Sequence, residues 1–198
     1  MHLNSRLIFT KYVLPFLQGS PRVLEIGPDA FPSSYSKVAG QRGQWDTVDI
    51  FPRPGLTFVA SNENSFPIED GAYDVVISGQ VLEHVRKPWI WMHEVVRVCK
   101  PGGLVVTIAP TSWPYHEAPI DCWRVYPAGM QALLDDCGVE VLVNESVCLE
   151  EDTSRHFVVP GRSAESQWRK QRLLSQWLNG FGVPRERAFD LVCIARKR

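Results

Sequence analysis

The feature that most restricts this chain is an alternation. Short apolar runs rich in β-branched residues are each bounded by Gly, Pro or Asp: RVLEIG (22–27), TVDI (47–50), LTFVAS (56–61), YDVVISG (73–79) and GLVVTIAP (103–110). Runs of this length without a polar face read as strands buried on both sides. In WIWMHEVVRVCK (89–100), Ile90, Trp91, Met92, Val95 and Val98 recur at helical spacing, and Pro101-Gly102-Gly103 stops the pattern. PAGMQALLDDCG (127–138) places proline in a first helical turn and ends at Gly138. VEVLVNESVCL (139–149) and AFDLVCIARK (188–197) supply two more strands. Strands alternating with helices predict an α/β fold, a doubly wound, mostly parallel sheet with helices on both faces.

At 198 residues the chain suffices for one full-sized domain. We expect a single domain over 1–198, with 111–126 as a substrate loop and 150–187 as an insertion before the last strand. A formal net charge of −1 provides no general attraction to nucleic acid or to an acidic membrane surface. No stretch approaches the roughly 18–20 apolar residues of a membrane span. The first 18 residues mix charge into their apolar positions and read as an amphipathic helix rather than a signal peptide. The cysteines, at 99, 122, 137, 148 and 193, are odd in number and form no C-x-x-C pair. That argues against a disulfide framework or a zinc site and fits a cytoplasmic setting.

The stretch VLEIGPDAFP (23–32) ends the first strand in a turn of unusual chemistry. A dinucleotide site uses several glycines so that backbone N–H groups can close on a pyrophosphate. Here Gly27 stands alone, Pro28 has no N–H to offer, and the Asp29 and Glu25 carboxylates would repel a phosphate. Two acids around one glycine suit an adenosyl ligand that carries cationic groups and no phosphate, as S-adenosylmethionine does. Asp49 closes the second strand about 20 residues further on, where a carboxylate accepts from both ribose hydroxyls; read by its position alone, it is equally a turn residue at a strand end.

These residues belong to a longer ordered set. VLEIGPD, TVDI and then SNENSFPIEDGAYDVVISGQVLEHVRKPWIWMHEVVRVCKPGGLVVTIAP (61–110) resemble the class I S-adenosylmethionine-dependent methyltransferases, in particular the methyltransferase type 11 branch. The resemblance covers roughly residues 20–140 and implies a seven-stranded sheet whose last strand runs antiparallel. It implies further that Glu25 and Gly27 line the methionine and adenosyl portion of the cofactor. Asp49 would hold the ribose and Ile50 would pack on the adenine. Asn62 would accept from the adenine amino group in place of the usual aspartate, and Gln80 would lie near the reacting methyl. Asp29 stands where the family has a second glycine, and either displaces the cofactor outward or contacts its ammonium. The Glu83-His84 pair is expected to shape the pocket, and Glu94 with Arg97 to be structural.

The segment TSWPYHEAPIDCWRVY (111–126) follows the fifth strand, where an open α/β sheet places its ligands. His116 is the candidate general base, with Asp121 to orient it. Arg124 would hold an anionic acceptor, and Trp113, Tyr115, Trp123 and Tyr126 would wall the site. The competing assignment has Asp121 and Arg124 pinning the loop while the tryptophans pack it on the sheet. A metal held by His116, Glu117 and Asp121 is not expected, because nothing in the spacing fixes a coordination geometry. The 150–187 insertion, locally basic at Arg162, Arg169, Lys170 and Arg172, would serve as a lid, a dimer arm or a partner surface. The function expected is methyl transfer to a small molecule, most simply to an oxygen of a sugar or other hydroxylated metabolite. The alternatives are a cofactor-binding scaffold without turnover, an RNA methyltransferase and a nicotinamide-dependent oxidoreductase.

Overall fold

The apolar runs assemble into one seven-stranded sheet in a computed structural model that describes residues 3–117, 119–150 and 189–198. Its strands are β1 (Arg22–Ile26), β2 (Gln44–Asp49), β3 (Phe58–Val59), β4 (Tyr73–Gly79), β5 (Cys99–Ser112), β6 (Val139–Val147) and β7 (Phe189–Lys197). They lie in the order β3-β2-β1-β4-β5-β7-β6. β1 pairs in parallel with β2 and β4, and β4 with β5, whereas β7 runs antiparallel to both β5 and β6. The mostly parallel sheet and its reversed last strand match expectation.

Period-two alternation along the strands feeds two cores. On one face, Val75 and Ile77 of β4 meet Ile8, Phe9, Val13 and Leu17 from the N-terminal segment, together with Tyr35. On the other, Val76 joins Trp91, Met92 and Val95 of α3 (Pro88–Val98) and Met130 and Leu134 of α4 (Pro127–Leu134). Proline begins both helices, where its missing N–H costs nothing. Glu94 and Arg97 form a two-point ion pair, each contact 2.7 Å, and Glu94 Oε1 accepts from the Phe66 N–H. Arg97 also reaches Asp70 and the Ile68 carbonyl, so the pair pins the segment leading into β4.

Several boundaries differ from the sequence reading. LTFVAS yields only the two-residue β3, since Pro54-Gly55 and the turn at Asn62 crowd it from both ends. The N-terminal helix is α1 (Leu3–Ile8), followed by a π-helical turn at Phe9–Val13 and a 3-10 turn at Leu14–Phe16, where Pro15 interrupts regular bonding. β5 begins at Cys99 and passes through Pro101-Gly102-Gly103, so the apparent helix stop is the first part of a strand. A short helix, α2 (Ser34–Ala39), was missed; Ser33 caps it by accepting from the Ser36 N–H at 3.0 Å. Nearly all of the 150–187 insertion, including its basic Arg162, Arg169, Lys170 and Arg172, lies outside the described residues. No helix among the described residues is long and apolar enough to cross a membrane.

Candidate active site

Going from β1 to β2 and β3 the chain moves outward, then crosses back to β4 on the other side of β1. That reversal opens a crevice beyond the carboxyl ends of β1, β2 and β4. A cavity of about 410 Å³ lies there, and Gly27, Asp29, Asp49, Ile50 and Gln80 all line it. Ile26, Phe51, Phe66, Val81 and Trp91 give it an apolar wall, and Arg53, Glu63 and His84 reach it as well.

Gly27 has φ +64°, and a Cβ there would lie 2.6 Å from Val81 Cγ2. The glycine is therefore demanded by Val81 and by its left-handed backbone. Asp29 accepts from the Ser34 N–H at 2.9 Å and from the Ser34 hydroxyl at 2.6 Å. Burial raises its carboxyl, but these two bonds outweigh burial and leave it below the usual range. Asp49 Oδ2 is held by Arg53 at 2.6 Å, and the same guanidinium nitrogen donates to the Pro28 carbonyl at 2.6 Å. Arg53 thus ties the two sides of the crevice. Its i,i+4 spacing from Asp49 was the available signal.

Gln80, at φ +59°, donates from Nε2 to Asp190 Oδ1 at 3.2 Å. Its Oε1 is buried with no hydrogen-bond partner. Burial pushes Asp190 up to about 6, against the bonds from Gln80 and Asn4.

Two residues expected to contact the cofactor, Asn62 and Glu25, do not border this cavity. Asn62 is exposed and closes its own turn, Oδ1 accepting from the Asn64 N–H at 2.8 Å, while the adjacent Glu63 lines the cavity instead. Glu25 lies on the face of β1 opposite Ile26, as period two requires. It borders a separate cavity with Phe31, Ser33, Trp45 and Thr57, and accepts from the Ser33 hydroxyl. Burial pushes Glu25 from its ordinary 4.5 up to about 7, against the opposing pull of Ser33. An acid that keeps its proton in the fold, while the unfolded chain has released it, makes stability fall as pH rises through that window. The loss is on the order of 3 kcal/mol. Glu25→Gln should flatten that part of the slope in urea unfolding followed from about pH 5 to about pH 8. Equal slopes in both proteins would refute the assignment.

The loop 111–126 folds back on the turn after β4. The Cys122 and Trp123 N–H groups donate to the Glu83 carbonyl at 2.7 and 3.3 Å, and Trp123 Nε1 donates to the Val85 carbonyl at 2.8 Å. Trp123 meets Trp89 edge-on, with centroids 6.2 Å apart. Asp121 accepts both Arg124 Nη atoms and the His116 N–H, and Arg124 holds its carboxyl down at about 2. Arg124 also donates to the carbonyls of Trp113, Pro114 and Trp123. Its five N–H donors are all used within the loop, so Arg124 has none for an anionic acceptor. The competing sequence reading, a pair that pins the loop, describes this geometry. Tyr115 is exposed and donates to Glu117, and neither Tyr115, Trp113 nor Trp123 borders the cavity.

His116 approaches the cavity through His84, which lines it; the two rings lie edge to face with centroids 5.2 Å apart. Burial holds the His116 imidazole below its ordinary value, against the Pro114 carbonyl and the Asp121 carboxylate. Residues 82–84 form a 3-10 turn in which Glu83 is buried, and burial pushes its carboxyl up to about 8.

Residues 25–107 match the family described as Methyltransferase domain. An uncharacterized methyltransferase of Mycobacterium sp. (strain JLS) is 34% identical over 106 residues, which make up 48% of this chain and 40% of that protein. Two solved structures share the fold. One is the Burkholderia thailandensis 1,6-didemethyltoxoflavin-N1-methyltransferase with 1,6-didemethyltoxoflavin and S-adenosylhomocysteine bound (TM-score 0.66, 13% identity, 98% of this chain and 78% of that one). The other is a SAM dependent methyltransferase from Archaeoglobus fulgidus (TM-score 0.61, 18% identity, 97% and 92%). The chain is thus similar to a methyltransferase domain over residues 25–107 and shares the fold of solved S-adenosylmethionine-dependent methyltransferases. It spans less than half the length of the curated relatives it matches.

Proposed function

We propose that the chain binds S-adenosylmethionine in the crevice beyond β1, β2 and β4 and methylates a hydroxyl of a small molecule. The observation that carries this reading is the convergence of oxygen acceptors on a cavity without a phosphate cradle. Asp29, Asp49 and Glu63 line it, and the Gln80 Oε1 faces burial without a donor. A ligand with ribose hydroxyls and an ammonium supplies those donors, and the apolar wall at Ile50 and Phe51 suits a flat base. The bound cofactor supplies an activated methyl on sulfur; the residues of the chain align the acceptor and exclude water. Asp49 holds the ribose, Gln80 and Asp29 the methionine end, and the loop 111–126 closes the side toward solvent.

In this reading His116 takes the acceptor's proton on Nε2, since Nδ1 faces the Pro114 carbonyl and the Asp121 carboxylate. His116→Ala should lower turnover by about 10²–10⁴-fold and leave cofactor affinity unchanged. Full activity in that variant would remove His116 from the chemistry. A scaffold without turnover is the second reading, favoured by Arg53 already occupying Asp49. Calorimetry with S-adenosylmethionine and S-adenosylhomocysteine, followed by detection of the demethylated product over a panel of hydroxylated acceptors, tests the reading. Tight binding without product on any acceptor supports the scaffold, and no binding at all sinks both.

A further inference from the structure

Glu83 is 1% exposed, and neither of its carboxylate oxygens has a hydrogen-bond partner. A buried carboxylate with no partner is costly unless a proton or a cation meets it. Two imidazoles face it. One ligand atom from each of Glu83, His84 and His116 lies within 4.8 Å of the other two, the only such group among the described residues. His84 Nε2 is 3.7 Å from Glu83 Oε1.

The far side of each ring is also occupied. His84 Nδ1 contacts the Ile120 carbonyl, which can only accept, so Nδ1 carries the proton and Nε2 the lone pair. His116 Nδ1 lies 3.3 Å from the Pro114 carbonyl and 3.4 Å from Asp121 Oδ2, two acceptors that fix the same tautomer. Imidazoles that ligate metals are oriented in this way, by a carbonyl or a carboxylate behind the ring. The loop carrying His116 is fastened to the Glu83 carbonyl itself, so the three ligands are held against one another from both sides.

We propose that Glu83, His84 and His116 bind a divalent first-row transition-metal ion. Two imidazoles and one carboxylate suit zinc, cobalt or iron, whereas magnesium and calcium favour oxygen donors throughout. Ligand bonds of about 2.0–2.2 Å require small side-chain rotations to draw the group together. Three protein ligands leave a fourth position open. The group adjoins the cavity through His84, which lines it. The role of the ion rests on the methyl-transfer reading above, although its binding does not. The open position takes the acceptor's hydroxyl oxygen and lowers its pKa. The hydroxyl proton passes to water, the oxygen–methyl bond forms as the sulfur–methyl bond breaks, and the sulfur leaves as a neutral thioether. His116 Nε2 then holds the ion rather than the proton.

Cobalt(II) titrated into chelator-treated protein, without S-adenosylmethionine, tests the site. We expect one equivalent to bind with visible ligand-field absorption, competed by zinc. His116→Ala and Glu83→Gln should each weaken binding by at least about tenfold, the lower bound for losing even an outer-shell partner. His116 lies on a surface loop, so its removal leaves the core intact if Glu83→Gln fails to fold; circular dichroism checks both. Absence of binding, or unchanged affinity in the variants, overturns the proposal. So does a thiolate-to-cobalt charge-transfer band, which would place the ion at Cys137 and His93, whose Sγ and Nδ1 are 3.7 Å apart. Protein that binds cobalt but not S-adenosylmethionine would retain the metal site and refute the methyltransferase reading.

Discussion

Gly27→Val should abolish S-adenosylmethionine binding. Two effects act on the same atom. The backbone at Gly27 has φ +64°, which costs a side chain about 1–2 kcal/mol. The new Cβ would also lie 2.6 Å from Val81 Cγ2, and overpacking of that kind costs about 1–3 kcal/mol more. The strain can be relieved only by moving the β1 turn or the segment after β4, and both line the cavity. Calorimetry on the soluble variant checks this, and normal affinity would show that the turn tolerates the shift. Shortening Val81 to alanine in the same chain should restore part of the binding, because it removes the contact and leaves only the backbone strain.

Asp49→Ala should weaken cofactor binding by more than tenfold, since it deletes the charged acceptor for two hydroxyls. Arg53 sharpens the test. Its guanidinium holds Asp49 Oδ2 at 2.6 Å, so a ribose must displace it or share the carboxylate. Arg53→Ala should therefore bind the cofactor as well as the parent or more tightly. The ion pair is partly exposed, and its loss should change stability by no more than about 1 kcal/mol. Unchanged affinity in Asp49→Ala would mean that the ribose lies elsewhere. A large loss in Arg53→Ala would make the arginine a ligand contact instead of a competitor.

The strands were legible because a two-sided sheet needs uninterrupted apolar runs, and YDVVISG and RVLEIG have them. β3 was overread and α2 missed for a common reason: each is so short that end effects outweigh periodicity. The start of β5 was hidden because Pro101-Gly102-Gly103 has the composition of a stop, while pairing of Tyr73 with Cys99 draws the segment into the sheet. Gly27, Asp29, Asp49, Ile50 and Gln80, read from their position at strand ends, line the cavity, whereas Asn62 and Glu25, read in the same way, do not. One residue along a strand or turn reverses the direction of a side chain, and spacing does not record which direction is taken.

The order of apolar runs along the chain was enough to set the sheet class, and Pro28 and Asp29 beside the lone Gly27 marked a turn unsuited to a phosphate, because each depends on local residue chemistry. The long-range contacts were settled only by folding. Arg124 looked available to an acceptor until the loop closed around it and consumed every donor. Glu83, His84 and His116 carry no recognisable spacing, since the third comes from a different loop, and backbone hydrogen bonds across the fold bring it beside the first two.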